Sequence, residues 1–243
     1  MRIPRIHHPA SLSSGTRIEL SDIAANHVAR VLRLAAGAPL ILFNGEGGEF
    51  AATVTDIDKR TVTVAVGDFQ PTEREPPLQL HLAQGISRGE RMDYTIQKAV
   101  ELGVSRIIPL FTEHCGVRLD GERLARRVRH WQGVVIGACE QCGRNHIPRI
   151  DSPVTLAQWL MTPAEGLRVV LAPDAQRTLA QFPVPTDPVM LLIGPEGGLS
   201  DQEISQAQAA GYLGLRLGPR ILRTETAAVA ALAAMLGIWG DFR

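Results

Sequence analysis

The chain has 243 residues, of which 45% are apolar and 21% charged, and its formal net charge is zero. This composition is ordinary for a globular protein, and the neutral charge argues against a general basic coat for nucleic acid. No apolar stretch approaches a membrane span, MRIPRIHHPA has no apolar run of a secretory signal, and three cysteines do not make a disulfide framework. We therefore expect a cytoplasmic protein without membrane contact, with room for one large or two small domains.

The basic residues are almost all arginines. Lys59 and Lys98 are the only lysines, so the other 23 of the 25 basic residues are arginines. Compositional bias explains such an excess, but arginine also suits bidentate phosphate contact and base stacking. Because the arginines cluster in residues 1–35 and 123–149, the sequence indicates a specific polyanion site on a neutral protein.

The first 70 residues read as short strands with one helix. The β-like runs are TRIEL (16–20), PLILF (39–43), EFAATVT (49–55) and TVTVAV (61–66), and the glycine-rich NGEGG (44–48) predicts a hairpin between the middle pair. SDIAANHVARVLRL (21–34) predicts a helix with Ser21 or Asp22 as its N-cap. These elements predict a small β-barrel with a helix, and FQPTEREPPLQ (69–79) reads as a linker after it.

Strands and helices alternate in the remainder of the chain. Apolar runs predict strands at 78–84, 105–111, 167–173, 188–194 and 213–218. Helices are predicted at 90–103, at roughly 120–142, at 154–160 and at 224–239, and the capping box Ser200-x-x-Glu203 opens one more that runs to Gly211. This alternation, with continuous apolar strands, indicates an α/β fold with a mostly parallel sheet.

Three of these strands end in unusual turns: LAPDAQ (171–176), IGPEGG (193–198) and LGPRILRTET (217–226). Ligands of open parallel sheets bind beyond the carboxyl ends of the strands. The turns lack the lysine of a P-loop and the G-x-G-x-x-G of a dinucleotide site, and Glu196 places negative charge where a phosphate would lie. Each turn alone reads as a tight strand–helix connection, but two Gly-Pro turns together favour a site for an uncharged or cationic ligand such as S-adenosylmethionine.

At this point the motifs resemble a known family. IGPEGGLS (193–200) and LGPRILRTETA (217–227) resemble the signature segments of SPOUT methyltransferases. With NHVARVLR (26–33), SRGERMDYTIQKAVELGV (87–104) and ACEQCGRN (138–145), essentially the whole chain resembles the ribosomal RNA small-subunit methyltransferase E family. One departure is His114, where the resemblance leads us to expect arginine.

The resemblance implies a PUA-like β-barrel RNA-binding domain over residues 1–72 and a SPOUT methyltransferase domain over 73–243. The SPOUT domain is expected to be an α/β parallel-sheet domain whose C-terminal chain forms a trefoil knot, one of the rare exceptions to unknotted folds. The resemblance also implies a homodimer, for which the apolar helix at 226–240 suits an interface or a central core. The implied substrate is 16S rRNA, expected within the 30S subunit, and the implied cofactor is S-adenosylmethionine.

The implied reaction is methylation of N3 of one uridine, which needs the N3 proton removed or the anion stabilised. We expect Arg223 to stabilise negative charge on the uracil and Glu225 to be, or to orient, the base, with Glu196 as the alternative base. An ion pair between Arg223 and Glu225 at a helix start is the structural alternative. The predicted cofactor-binding residues are Leu171, Gly194, Glu196, Gly198, Leu217, Gly218, Ile221, Leu222 and Thr226.

The predicted RNA contacts are Arg2, Arg5, Arg30, Arg33, Arg88 and Arg91. Arg30 and Arg33 lie three apart on the predicted helix, so they are expected to share a face. A solvated surface charge is the alternative for each arginine taken singly.

Cys139 and Cys142 form a C-x-x-C pair that closes a long predicted helix, and only Cys115, His114 and His146 could complete a metal site. We therefore predict no metal. Three other functions stay open: a SPOUT enzyme acting on tRNA or on a ribose 2′-oxygen, a non-catalytic RNA-binding ribosome-assembly factor, and a cysteine-dependent metal protein.

Overall fold

The computed structural model describes residues 3–58, 61–117, 120–163 and 165–242. Within this part the chain forms two compact units. The first unit comprises the described residues up to Glu75 together with Ile136–Ile147, and the second comprises Pro76–Val135 and the residues from Pro148 onward. The predicted domains, 1–72 and 73–243, do not include a later segment that rejoins the first domain, as Ile136–Ile147 joins the first unit. These boundaries stay a prediction.

The first unit is built on a sheet whose described strands run in the order β1-β3-β4-β5-β2. Their bounds are β1 Arg5–His7, β2 Arg17–Glu19, β3 Pro39–Phe43, β4 Glu49–Ile57 and β5 Val62–Gln70. β1 pairs in parallel with β3, and the other neighbours are antiparallel. The hairpin predicted over NGEGG is confirmed between β3 and β4, and period-2 alternation buries Val62, Val64 and Val66 of β5 in the core.

The helix of the first unit is shorter and less regular than the sequence predicts. α1 spans Asp22–Asn26, with the Ser21 hydroxyl accepting a hydrogen bond from Ala24 N, and π-helical turns continue over His27–Val31. Arg33 lies beyond them with φ 53°, in the left-handed region. The expectation that Arg30 and Arg33 share one helical face is therefore wrong, because the helix ends between them.

The second unit contains a parallel sheet whose described strands run in the order β12-β10-β11-β6-β7-β8, with β9 also beside β7. Their bounds are β6 Leu80–Gly85, β7 Val104–Phe111, β8 Arg149–Ile150, β9 Val154–Thr155, β10 Leu167–Leu171, β11 Val189–Ile193 and β12 Leu213–Leu215. Every residue of β11 is buried, as expected for a strand covered on both faces. The predicted parallel α/β sheet is confirmed.

The remaining helices are α2 Glu90–Glu101, α3 Gly121–Cys142, α4 Leu156–Leu160, α5 Asp201–Ala209 and α6 Thr224–Trp239, and a 3₁₀ turn covers Leu179–Gln181. The predicted capping box is confirmed, since the Ser200 hydroxyl accepts from Glu203 N at 3.2 Å and Glu203 Oε2 accepts from Ser200 N at 3.0 Å. Among the described residues, none of the helices combines the length and apolarity needed to cross a bilayer.

Candidate cofactor and substrate site

The three unusual turns come together because their strands are parallel neighbours. β12, β10 and β11 are adjacent in the sheet, so their carboxyl ends lie at one edge. The turns that follow them line a cavity of about 410 Å³, within the range of about 300–1,000 Å³ usual for small-molecule sites. The predicted cofactor residues in its wall are Leu171, Gly194, Glu196, Gly198, Leu217, Gly218, Ile221 and Leu222. Thr226 instead lies exposed on α6. Among the described residues, Thr224 and Ala227 of this helix line the cavity.

The glycines of the 193–198 turn have a structural cause. A Cβ on Gly194 would lie 2.7 Å from Leu199 N and 2.8 Å from Gly198 C, because the chain folds back on itself there. Gly198 has φ 73°, which side chains rarely adopt. The tight-turn interpretation therefore explains these two glycines, and the cavity is the space that the tight turns enclose.

Gln84, which the sequence analysis did not single out, ties two walls of the site together. Its side chain is fully buried at the end of β6, and Nε2 donates to Thr224 Oγ1 at 2.9 Å and lies 3.2 Å from the Gly194 carbonyl oxygen. The Thr224 hydroxyl in turn donates to the same carbonyl at 2.7 Å. The sequence does contain a signal for Gln84, because it is a single amide side chain at the end of the apolar run LHLAQ. Burial of a polar group there costs free energy unless it is hydrogen-bonded.

Glu196 is held in place by two donors. Its Oε1 accepts a hydrogen bond from Arg88 N at 2.8 Å and one from Arg91 Nη1 at 3.0 Å. Partial burial acts to raise the pKa of the Glu196 carboxyl, but these hydrogen bonds and the Arg91 charge outweigh it and lower the pKa below its usual value. Glu196 is therefore ionised and engaged, which makes it a weak proton acceptor.

Arg223 and Glu225 lie at the start of α6 and do not pair with each other. Glu225 Oε1 is instead 3.9 Å from Arg91 Nε, and its Oε2 is buried without a hydrogen-bond partner in the described part of the chain. Arg223 is the exposed N-cap residue of α6, and within the described residues its side chain has no hydrogen bond or ion pair. The arrangement leaves the Arg223 guanidinium exposed at this end of the helix, whereas Glu225 Oε2 is shielded from solvent.

His114 contacts the same turn. Its Nδ1 donates to the Gly197 carbonyl at 3.0 Å, and a Cβ on Gly197 would lie 2.7 Å from His114 Cβ. The residue that departs from the family pattern is therefore a packing partner of the 193–198 turn.

The structure corrects one predicted RNA contact and leaves others in place. Arg5 is 6% exposed, its Nη1 pairs with Glu49, and its Nη2 donates to the Arg144 carbonyl at 3.3 Å and to the Asn145 side chain. The prediction that Arg5 contacts RNA is wrong, because its guanidinium is buried and makes its hydrogen bonds within the first unit. Arg2 lies outside the described residues. Arg30, Arg33, Arg88 and Arg91 are exposed.

The ACEQCGRN motif supplies this buried ionic cluster. Asn145 Nδ2 and Arg74 Nη1 donate to Glu49 at 3.3 Å and 3.2 Å. Arg144 is buried and its Nε donates to Glu75 at 2.9 Å. Arg144 therefore cannot contribute to the polyanion site that the arginines of residues 123–149 suggested.

Cys139, in the same motif, is a free buried thiol whose Sγ donates to the His146 carbonyl at 3.8 Å. Burial raises its pKa to about 12, so the thiol stays protonated near neutral pH. In the described ranges, no group of three or more His, Cys, Asp or Glu side chains is placed to hold a metal ion. The cysteine-dependent metal hypothesis thus gains no support.

Comparison with known proteins identifies both parts of the chain. A family model described as an RNA methyltransferase domain matches residues 74–236, and one described as an RNA methyltransferase PUA domain matches residues 20–67. The ribosomal RNA small subunit methyltransferase E of Buchnera aphidicola (strain Sg) is 38% identical over 99% of this chain and 98% of its own length.

Two solved structures are similar over the whole chain. The protein Lpg2936 of Legionella pneumophila, solved in complex with the bound cofactor SAM, is 46% identical with a TM-score of 0.97, and the match covers 99% of this chain and 100% of that one. The ribosomal RNA small subunit methyltransferase E of Neisseria gonorrhoeae, bound to S-adenosyl methionine, is 39% identical with a TM-score of 0.93 and complete coverage of both chains. The chain described here belongs to the ribosomal RNA small subunit methyltransferase E family.

Proposed function

We propose that this family member transfers the methyl group of S-adenosylmethionine to N3 of one uridine in 16S rRNA. The observation that carries the proposal is the cavity enclosed by the three strand-end turns, which lies beside the start of α6 where Arg223 and Glu225 stand. The Neisseria relative bound to S-adenosyl methionine has the same fold over its full length, which supports the choice of cofactor.

The cavity fits the proposed cofactor. Its wall is rich in backbone groups of glycine turns and in apolar side chains such as Leu171 and Leu217, which suits an adenine ring. The ionised Glu196 favours a cation over a phosphate. When bound, S-adenosylmethionine supplies a methyl group on a positively charged sulfur.

The residues at the start of α6 supply the remaining chemistry. The uracil N3 lone pair becomes nucleophilic only when N3 loses its proton, so the site needs a proton acceptor. Glu225 takes this proton through Oε1, which accepts no hydrogen bond among the described residues, and Arg223 donates hydrogen bonds to the uracil oxygens on which the negative charge resides. The N3–carbon bond then forms as the sulfur–carbon bond breaks, and the methylated base is neutral again.

The proposal extends to the RNA and to the assembly. The first unit binds RNA phosphates through the exposed Arg30 and Arg33. In the second unit, the exposed Arg88 is a further phosphate contact. The substrate is the 30S subunit in the cytoplasm.

The C-terminal chain forms the trefoil knot, and the contact of Thr224 with Gly194 supports a path of the 217–226 segment beside the 193–198 turn. A homodimer forms through α6, on which Ile238 is exposed and beyond whose end Phe242 is exposed.

The test is methyl transfer from labelled cofactor to 30S particles that lack the modification, with the product nucleoside identified by mass spectrometry. The expected product is 3-methyluridine, with loss of activity in Arg223→Ala and Glu225→Gln. Glu122→Gln is the matched control, because Glu122 also lies in the first turn of a helix but is exposed on α3. A 2′-O-methylated product would reject the N3 assignment, and RNA binding without cofactor binding in calorimetry would indicate an assembly factor.

A further inference from the structure

Arg91 lies between two acidic side chains of the candidate site. It is in the first turn of α2, with Nη1 3.0 Å from Glu196 Oε1 and Nε 3.9 Å from Glu225 Oε1. Glu196 belongs to the turn that lines the cavity, and Glu225 belongs to the first turn of α6. Arg91 therefore joins the cavity wall to the helix that carries the proposed base.

The loop before α2 also contacts Glu196. The Arg88 N–H also donates to Glu196 Oε1, so Glu196 is fixed by one backbone donor and one side-chain donor. Arg91 donates a hydrogen bond to Glu196, and its Nε lies within ion-pair distance of Glu225, so part of the guanidinium is engaged within its own chain although the side chain is 44% exposed. Arg91 therefore connects Glu196 to Glu225 through one hydrogen bond and one ion pair, and we call this pair of contacts the brace.

The effect of the brace falls on Glu225. Its side chain is only 17% exposed, and Arg91 faces Oε1 while Oε2 has no hydrogen-bond partner among the described residues. A partly buried carboxylate is unstable without a compensating cation, and an ion pair at one oxygen also limits rotation of the group. Arg91 thus lies beside Oε1, whereas Oε2 is buried and out of reach of a substrate.

We propose that Arg91 is a positioning residue for methyl transfer, which holds Glu225 in its working orientation by bracing it against Glu196. The inference rests on the proposed function, and it replaces the prediction that Arg91 contacts RNA phosphates. The two roles differ in what they change. Loss of a phosphate contact weakens RNA binding, whereas loss of the brace slows the turnover of RNA that is already bound.

The experiment compares Arg91→Met, Arg91→Lys and the control Lys98→Met in steady-state methylation of unmodified 30S particles. The salt dependence of RNA binding is measured in parallel for these variants and for Arg88→Ala. Arg91→Met is expected to lower kcat about 100-fold, the scale of a small misplacement of a reacting group. Its KM for 30S particles and its salt slope stay those of the wild type. Arg91→Lys recovers part of kcat, because the charge remains while the fork of donors is lost.

Lys98→Met is the matched control on the same helix, because Lys98 is also a cation paired with a carboxylate of its own chain, Glu101, and has no place in the proposed site. Its kcat is expected to stay near the wild-type value. Arg88→Ala is the comparison for RNA binding, because the salt slope falls by about 1 if the Arg88 guanidinium binds a phosphate as proposed. Unchanged circular dichroism and thermal unfolding of the Arg91 variants would show that the fold is intact.

An Arg91→Met variant with normal kcat, a raised KM and a reduced salt slope would overturn the positioning role. The two proposals fail in distinguishable ways. If the wild type modifies another position and Arg91→Met still loses kcat, the N3 assignment fails and the positioning role stands. If the wild type forms 3-methyluridine and Arg91→Met turns over equally fast, the positioning role fails alone.

Discussion

Removal of the Glu49 carboxylate is expected to destabilise the first unit strongly. Glu49 is 4% exposed at the start of β4, and it accepts hydrogen bonds from Arg5, from Arg74 at 3.2 Å and from Asn145 at 3.3 Å. Arg5 is nearly as buried, so Glu49→Ala would leave its guanidinium charge without its ionic partner.

The magnitude follows from this burial. Breaking a buried ion pair by removing one partner costs about 3–5 kcal/mol, because the remaining charge is left uncompensated. Glu49→Gln keeps the shape and one acceptor oxygen but not the charge, so a smaller loss is expected. Glu46→Ala, on the same hairpin, is the control, because Glu46 is exposed and substitutions at such surface positions usually change stability by less than about 0.5 kcal/mol.

The assay is urea unfolding followed by circular dichroism, with amide hydrogen exchange of β3 and β4 to assign the loss to the first unit. The pH dependence adds a sign test. Burial acts to raise the pKa of Glu49, but the bonds from Arg5, Arg74 and Asn145 outweigh it and lower the pKa below its usual value near 4.5. A lowered folded-state pKa contributes stability that is present above the unfolded-state value and is lost as the pH falls through the folded-state value.

The stability difference between wild type and Glu49→Gln should therefore be constant near neutral pH and shrink in acid as the pH falls below the usual glutamate pKa near 4.5. Two results would refute the reasoning. One is a Glu49→Ala variant within about 1 kcal/mol of the wild type at neutral pH, since a buried pair predicts more. The other is a difference that grows as the pH falls.

Three further predictions concern the second unit and the cysteines. Gln84→Leu should lower the free energy of unfolding by about 1–3 kcal/mol and weaken S-adenosylmethionine binding in calorimetry, and unchanged affinity would show that its link between Gly194 and Thr224 does not shape the cavity. Ser200→Ala should cost about 0.5–2 kcal/mol in thermal unfolding through the lost helix cap, whereas Ser200→Thr should cost less. At pH 8, iodoacetamide should label the partly exposed Cys142 well before the buried Cys139, and equal labelling rates would contradict the protonated state of that thiol.

Sequence patterns correctly predicted the parts of the fold that depend on interactions between residues close together in the chain. The capping box at Ser200, the hairpin over NGEGG and the continuous apolar strand at 188–194 each depend on residues within a few positions of one another. The cavity at the strand ends was also predictable, because parallel strands bring their carboxyl ends to one edge whatever their side chains.

Contacts between distant segments were not predictable in this way. Arg5 reads as a charge on a leading arm, and its burial depends on Glu49 and Asn145, which lie 44 and 140 positions away. The assignment of ACEQCGRN to the first unit has the same origin, because the pattern of α3 contains no signal that its last turns supply a buried cluster. Arg33 was misplaced for a local reason, since π-helical turns and a left-handed residue end a helix that periodicity alone extends to 34.

The choice between the two candidate bases shows what contacts add to sequence. The sequence does not distinguish Glu196 from Glu225, because each is a glutamate near the start of a helix beside the proposed cofactor site. A general base needs an unengaged lone pair within reach of the proton that it removes. Glu196 Oε1 already accepts from Arg88 and Arg91, and these donors lower its pKa, so it holds a proton poorly. Within the described residues, Glu225 meets one cation, 3.9 Å from Oε1, and this oxygen accepts no hydrogen bond, whereas Oε2 is buried. The difference between their partners, which no motif encodes, favours Glu225 as the proton acceptor and makes Glu196 the anchor from which Arg91 can orient it.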